Sequence, residues 1–491
     1  MAIYALAPEW LSVPADPNAL DPAVWPMNAA RDDAGEVIVA GVAASALAAR
    51  FGTPLYVYDE ADARCRARSV REAFETAFGA VGAGVTVYYA GKAFLSTEVV
   101  RWMLDAGLRI DVCSGGELAV VVAAGADPAL LGFHGNNKSV AEIERAVTLG
   151  IGTIVLDSAI EIERVASAAA RAGRVQDVRL RVNSGVHAHT HEFLATAHED
   201  QKFGVALEQT PDLVADIRSR TGLRFLGLHC HIGSQIFDAA GFAESAARVL
   251  AVHALLLEGG LVPELNLGGG FGIAYTSDDR PTPIAVLAAE MAAAVAAECA
   301  RLGIPLPHIA IEPGRSIIGP GGITLYEVGT TKEVSVPEAA VAPESAAGED
   351  VDTTRLYVSV DGGMSDNARP ALYGADYTAR IANRRSTRPP RLVRVAGKHC
   401  ESGDIVVDAD YLPADVAPGD LLALAATGAY CWSLASNYNY LCRPPVVAVR
   451  DGDARIIVRG ETEADLLARD IGVQSSVSQN RDIPSNQETI R

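Results

Sequence analysis

The sequence predicts an α/β protein: a (β/α)8 barrel of the TIM type followed by a C-terminal, mostly-β domain. Two observations carry this expectation. Between residues 85 and 315, eight short β-rich runs alternate with Ala-, Glu- and Arg-rich stretches of helical character, and strands joined by helical crossovers form parallel sheets. After residue 320 the alternation stops, and β-rich runs follow one another with little helical text between most of them.

The first 58 residues hold two β-rich runs, GEVIVAGV and PLYVYD, which precede the first β/α unit and are expected to join the β-domain. The barrel is expected over 59–318. Its strands are VTVYYA (85–90), RIDVCS (109–114), LLGFHG (130–135), TIVLDS (153–158), VRLRVN (178–183), FLGLHCHI (225–232), ELNLGGG (264–270) and HIAIEPGR (308–315). Eight units in about 230 residues match the size of a closed barrel. A doubly wound open sheet is the competitor, but it usually has fewer strands and often opens on a dinucleotide fingerprint, and neither feature is present. The mostly-β domain is expected over 319–472, from ITLYEVGTTKEVSV, LYVSVDGG, RLVRVAG, DIVVDADYL, DLLALAATGAY and ARIIVRG. The acidic, aperiodic 337–354 segment reads as a surface excursion within it. Residues 473–491 are a polar tail with too little apolar content to order it.

The 491 residues include 41 basic and 61 acidic side chains, a formal net charge of −20. An acidic surface repels phosphate backbones and anionic lipid, so neither nucleic acid nor a membrane is an expected partner. Seven cysteines lie singly without a CxxC pair, which is neither a disulfide framework nor a zinc knuckle. The opening MAIYALAPEW lacks the pattern of a signal peptide. The closest approach to a long apolar run, LLALAATGAYCWSLA, is too short to span a bilayer. The expected location is the cytoplasm.

In a barrel the strand C-termini and the loops after them share one rim, and active sites sit there. Lys92, just past the first strand, reads alone as a surface lysine. Its company changes that reading. The same rim collects Asp111, Cys113 and Ser114; His134, Asn136 and Asn137; Asn183; His229, His231, Ser234 and Gln235; Gly268, Gly269 and Gly270; and Glu312, Pro313, Gly314 and Arg315. The run LGGGFG lets backbone N–H groups approach an anion, although alone it could be a tight turn. Glu312 and Arg315 could be a simple ion pair. HCHIGSQ could be half of a metal site, and HAHTHEFLATAH (187–198) carries four of the ten histidines. No metal is expected, because a metal-dependent hydrolase barrel places its H-x-H after the first strand, where this chain has a lysine. A rim lysine, an anion-binding glycine loop, a flat imidazole and an opposing carboxylate together meet the needs of pyridoxal 5′-phosphate.

In the same order along residues 50 to 450, the motifs YYAGKA, DVCSGGEL, HGNNKS, HIGSQ, NLGGGFGI, EPGR, MSDNARPALYGA, CESGD and GAYCWSLASNYN resemble those of the fold-type III pyridoxal-phosphate decarboxylases, whose fold is alanine racemase-like. Within that family the resemblance points to the branch acting on meso-2,6-diaminopimelate. It implies that Lys92 holds the cofactor covalently, with Asp111 nearby. It places His231 over the ring and Ser234, Gly268, Gly269, Gly270 and Tyr430 near the phosphate. Glu312 would face the pyridine nitrogen, with Pro313, Gly314 and Arg315 beside it. It also implies substrate contacts by Arg315, Arg369, Tyr373, Glu401 and Tyr430, and proton donation by Cys400 from the second subunit of a homodimer with shared active sites. Ser184 stands where a proline is common, and Leu434-Ala435 where Met-Ser is more usual; neither removes a reactive group.

The implied reaction releases CO2 and L-lysine, the last step of lysine biosynthesis. A distal carboxylate on the substrate calls for cations, which Arg315 and Arg369 supply, while Glu401 suits a distal ammonium. The alternatives are decarboxylation of another basic amino acid, racemase-like chemistry on the same barrel, a metal-dependent hydrolase and a non-catalytic carrier.

Overall fold

The computed structural model describes residues 3–4, 6–186, 202–336 and 351–473. The histidine-rich 187–198 stretch, most of the 337–354 segment and the tail from 474 lie outside the described residues.

Eight parallel strands close a barrel: β1 (Val85–Ala90), β2 (Arg109–Val112), β3 (Leu131–Phe133), β4 (Thr153–Leu156), β5 (Gln176–Asn183), β6 (Leu223–His229), β7 (Glu264–Asn266) and β8 (His308–Ile311). Ile309 of β8 pairs with Val85 of β1, and Val178 of β5 pairs with Ile154 of β4, so the circuit is complete. Closure removes the free sheet edge, and the apolar residues of the strands face either the barrel interior or the surrounding helices.

The helices follow from local sequence. Ser96 caps Thr97–Asp105, and Ser139 with Glu142 forms a reciprocal capping box on Val140–Leu149, which ends at the left-handed Gly150. These caps fix the start of the first and third crossover helices just after their strands. Helix Glu60–Ala80 precedes β1 yet packs against both Ile284–Leu302, the last crossover helix, and Thr97–Asp105, the first. It thereby completes the outer ring, burying Ala63, Ala67, Val70, Phe74 and Phe78 along one helical face. Helix Ala240–Glu258 is the one helix among the described residues long and apolar enough to cross a membrane. Here it is the β6–β7 crossover, with Phe242, Val249, Leu250 and Leu256 buried on the barrel.

In the second domain the long strand Gly322–Ser335 pairs at its start with Leu55–Asp59 and Leu421–Leu424, and at its end with Thr354–Val360. Strands Pro390–Ala396 and Ile405–Pro413 extend one side, and Val446–Arg450 with Asp453–Val458 the other. Leu55–Asp59 thus lies within the β-domain sheet. The run before it behaves differently: Val37–Val39 and Val42–Ala43 pair only with Ala29–Arg31 and with each other, in a separate three-stranded sheet. Its ties to the β-domain include the Val37 N–H donating to the Ala382 carbonyl at 2.7 Å and Arg31 donating to the Ile381 carbonyl at 2.9 Å.

Several expected strands are shorter than the β-rich text. DLLALAATGAY is extended only over Leu421–Leu424, after which Ala426 and Tyr430 take positive φ and the chain turns into the barrel rim. The runs expected to end at 114, 135 and 315 leave the ladder at Val112, Phe133 and Ile311. In each case the residues that leave are the polar or glycine residues that line the rim.

Candidate active site

Lys92 sits in a 3-10 turn, Gly91–Ala93, directly after β1, and its side chain is exposed at the rim. The turn is held on three sides. The Ala90 N–H donates to the Pro313 carbonyl at 3.0 Å, and the Tyr430 N–H donates to the Ala93 carbonyl at 2.7 Å. On the third side Gly91 packs on the Asp111 carbonyl so closely that a Cβ would stand 2.7 Å from it. Tyr430 accepts a positive φ of 68° to make its contact. The lysine is exposed at its tip and fixed at its root.

Glu312, just past β8, is the centre of the polar cluster below. Asn266 Nδ2 donates to its Oε1 at 2.6 Å, and His229 Nε2 lies 3.2 Å from the same oxygen. His134 Nε2 stands 3.4 Å from Glu312 and 3.2 Å from Asp111. Burial opposes ionisation of Glu312, but the imidazoles around it hold its carboxyl well below the usual carboxylate range. Burial raises Asp111, offset in part by His134. Burial pushes His229 down to about 4, so near pH 7 it favours the Glu312 carboxylate through its Nε2 hydrogen bond and not through a charge.

The glycine run is a cradle. A Cβ on Gly269 would stand 2.0 Å from the Glu312 carbonyl oxygen, one on Gly268 2.5 Å from that of Cys230, and one on Gly270 2.4 Å from that of Gly233. Gly268 and Gly270 also have φ of 71° and 110°, which side chains rarely adopt. His231 Nδ1 accepts the Gly269 N–H at 3.3 Å. Burial, then the nearby Lys92 charge, pushes His231 well below its ordinary value, so it stands as a neutral, flat ring.

Arg315 donates to Ser234 Oγ at 2.8 Å and to the Tyr275 hydroxyl, and its guanidinium lies over the Tyr430 ring at 4.7 Å. Arg369 reaches this corner from the β-domain, donating to the Tyr377 hydroxyl at 2.5 Å. The structure therefore gathers Lys92, Asp111, His231, Ser234, the three glycines, Glu312, Pro313, Gly314, Arg315, Arg369 and Tyr430 around one rim. Tyr373, Cys400 and Glu401 are exposed on the β-domain, and among the described residues the side chain of Glu401 accepts from Ser402 and Gly403 alone.

Asn266, Tyr275 and Tyr377 were not singled out from the sequence. Asn266 ends β7 immediately before the glycines, and Tyr275 follows them; that proximity was the available signal.

His134, His229 and Glu312 bring ligand atoms within 4.8 Å of one another, as a metal would need. The Asn266 amide argues otherwise. Its Oδ1 accepts the Gly268 N–H at 2.8 Å, which turns Nδ2 toward Glu312, and an N–H donor already occupies the oxygen that a metal would take. The same atoms fit pyridoxal phosphate. Buried Arg315 Nε is an unpartnered donor, and both Asp111 carboxylate oxygens lack hydrogen-bond donors.

Residues 67–319 match the family model described as pyridoxal-dependent decarboxylase, pyridoxal binding domain. The curated diaminopimelate decarboxylase of Mycobacterium tuberculosis is 50% identical over 461 residues, covering 92% of this chain and 98% of that protein. That of Bacillus subtilis is 43% identical, covering 91% and 97%. Among solved structures, diaminopimelate decarboxylase of M. jannaschii superposes with a TM-score of 0.79 at 29% identity, covering 91% of this chain and 98% of that one; the same enzyme has also been solved in complex with L-lysine. The chain belongs to the diaminopimelate decarboxylase family of pyridoxal-dependent decarboxylases.

Proposed function

We propose that the protein binds pyridoxal 5′-phosphate on Lys92 and decarboxylates meso-2,6-diaminopimelate at one carbon, releasing CO2 and L-lysine. The observation that carries this reading is the pairing of a root-fixed Lys92 with an ionised Glu312 across one rim.

When bound, the cofactor supplies a ring that takes up the electrons left behind as the carboxylate departs. Glu312 keeps a proton on the pyridine nitrogen, and Asn266, His134 and His229 keep Glu312 ionised and aimed. His231 covers the ring face. Ser234 and the glycine loop, through the Gly270 N–H, hold the phosphate, while the Gly268 and Gly269 N–H groups brace Asn266 and His231. The Lys92 amine gives up its place to the substrate amine and takes it back to release product.

Substrate choice follows from charge. Arg315 and Arg369 are buried, and among the described residues no carboxylate lies within ion-pair distance of either. Two buried guanidiniums without counter-charge favour an anionic ligand, and the distal carboxylate of diaminopimelate supplies one. A diamine precursor such as ornithine would leave them unpaired.

Cys400 is proposed to protonate the decarboxylated carbon, with Glu401 meeting the distal ammonium. Both sit on an exposed β-domain loop, a position suited to completing the site of a second copy. The working unit is therefore a homodimer with shared sites. Seven free thiols suit a reducing compartment, the cytoplasm.

The test supplies purified protein and cofactor with meso-diaminopimelate, L-ornithine, L-arginine or L-alanine, and follows CO2, products and racemisation. CO2 and L-lysine from diaminopimelate, with little turnover of the others, is the expected result. Turnover of ornithine or racemisation of alanine in its place would overturn the substrate.

A further inference from the structure

The substrate reading leaves open how two guanidiniums are kept side by side without a carboxylate between them. Like charges in a buried corner repel strongly, and long arginine side chains have other rotamers available. Tyr275 meets both. Its hydroxyl accepts from Arg315, the Arg315 guanidinium lies 5.7 Å from its ring centroid, and that of Arg369 lies 4.6 Å from it. The ring is 5% exposed. It is itself fixed: its carbonyl accepts from Thr378 Oγ1 at 2.9 Å, and Tyr377 meets its ring edge-on at 5.2 Å. Arg315 comes from the barrel and Arg369 from the β-domain, so Tyr275 is the side chain on which the two domains' cations converge.

We propose that Tyr275 is a positioning residue for substrate selection: its ring and hydroxyl hold Arg315 and Arg369 as a pair spaced for one carboxylate. The quadrupole of the ring offsets part of each positive charge, and the hydroxyl points one guanidinium edge away from the ligand so that another, including the unpartnered Nε of Arg315, remains free. Tyr275 does not touch the reacting carbon and takes no part in proton transfer.

This inference rests on the proposed diaminopimelate specificity, and its test separates the two. The probe is pimelate, the seven-carbon dicarboxylate without amino groups, which cannot react with the cofactor. Holoenzyme of wild type, Tyr275→Phe and Tyr275→Leu is assayed for pimelate affinity by calorimetry and for KM and kcat with meso-diaminopimelate. Tyr275→Phe is expected to weaken pimelate and raise KM together by about tenfold, with kcat within about twofold. Tyr275→Leu, which also removes the ring face, is expected to weaken both further. The visible absorption of the bound cofactor should be the same in all three. Unchanged pimelate affinity in Tyr275→Phe, or a fall in kcat at constant KM, would overturn the proposal. Wild type that binds pimelate in a Tyr275-dependent way but does not decarboxylate diaminopimelate would uphold the arginine pair and overturn the substrate.

Discussion

Asn266 Nδ2 donates a 2.6 Å hydrogen bond to Glu312 Oε1. With both orientations of the amide distinguished by the Gly268 N–H, the bond ties the end of β7 to the carboxylate after β8. It predicts a graded pair of variants. Glu312→Gln should lower kcat by roughly a hundredfold or more, because the pyridine nitrogen loses its ionised partner. Asn266→Leu should lower kcat by about tenfold and move the acid limb of the pH–rate profile upward, since the carboxylate loses a donor that favours its charged form. Profiles of kcat against pH for both variants check this; an acid limb in Asn266→Leu identical to wild type would refute the coupling.

The glycine cradle makes a steric prediction. A Cβ on Gly269 would stand 2.0 Å from the Glu312 carbonyl, so Gly269→Ala has to push apart the loops after β7 and β8. The expected cost is about 2 kcal/mol of stability, with cofactor affinity reduced at least tenfold. Thermal melts with and without pyridoxal phosphate read both effects.

A third prediction concerns acid stability. His253, on the β6–β7 crossover helix, is 1% exposed with Nδ1 unpartnered, and burial pushes it down to about 4. Unfolded, it titrates near 6.5. Between these values the unfolded chain binds a proton that the folded chain refuses, so stability falls as pH drops from about 6.5 to about 4. His253→Leu should flatten this part of the curve by about 2 kcal/mol. Urea midpoints at pH 7 and pH 5 measure it.

Asp404 links two loops of the β-domain. Its Oδ1 accepts the Met364 N–H at 2.6 Å and its Oδ2 the His399 N–H at 2.7 Å, joining the segment that leads to Arg369 with the one that carries Cys400. Asp404→Ala leaves two N–H groups without this acceptor, at a cost of about 2–4 kcal/mol. If Cys400 is the proton donor, kcat should fall at least tenfold while cofactor binding to the barrel is retained. Equal loss of cofactor affinity would show that the damage is global.

The barrel was legible because each strand is a short run of apolar and β-branched residues followed by a stretch of helical character, capped by Ser96, Ser114 and Ser139 after the first three strands. Strand ends were not, because the residues that leave the ladder are those lining the site. Val446–Arg450 was not among the expected strands: Pro444 and Pro445 fall just before it, outside the ladder, and leave its N–H groups to pair with Leu55–Asp59. Lys92 could be picked out only through its neighbours on other strands. Asn266 and Tyr275 act across space, through partners 46 and 40 residues away, and only their nearness to the glycine run marks them.

The central claim is that Lys92 holds the cofactor. Borohydride reduction of the holoenzyme followed by peptide mass mapping tests it most directly, alongside the same treatment of Lys92→Ala. The account predicts that the peptide containing Lys92 gains the mass of the reduced cofactor, and that Lys92→Ala gains none and forms no lysine from meso-diaminopimelate. A label on another lysine, or full lysine production by Lys92→Ala, would contradict it.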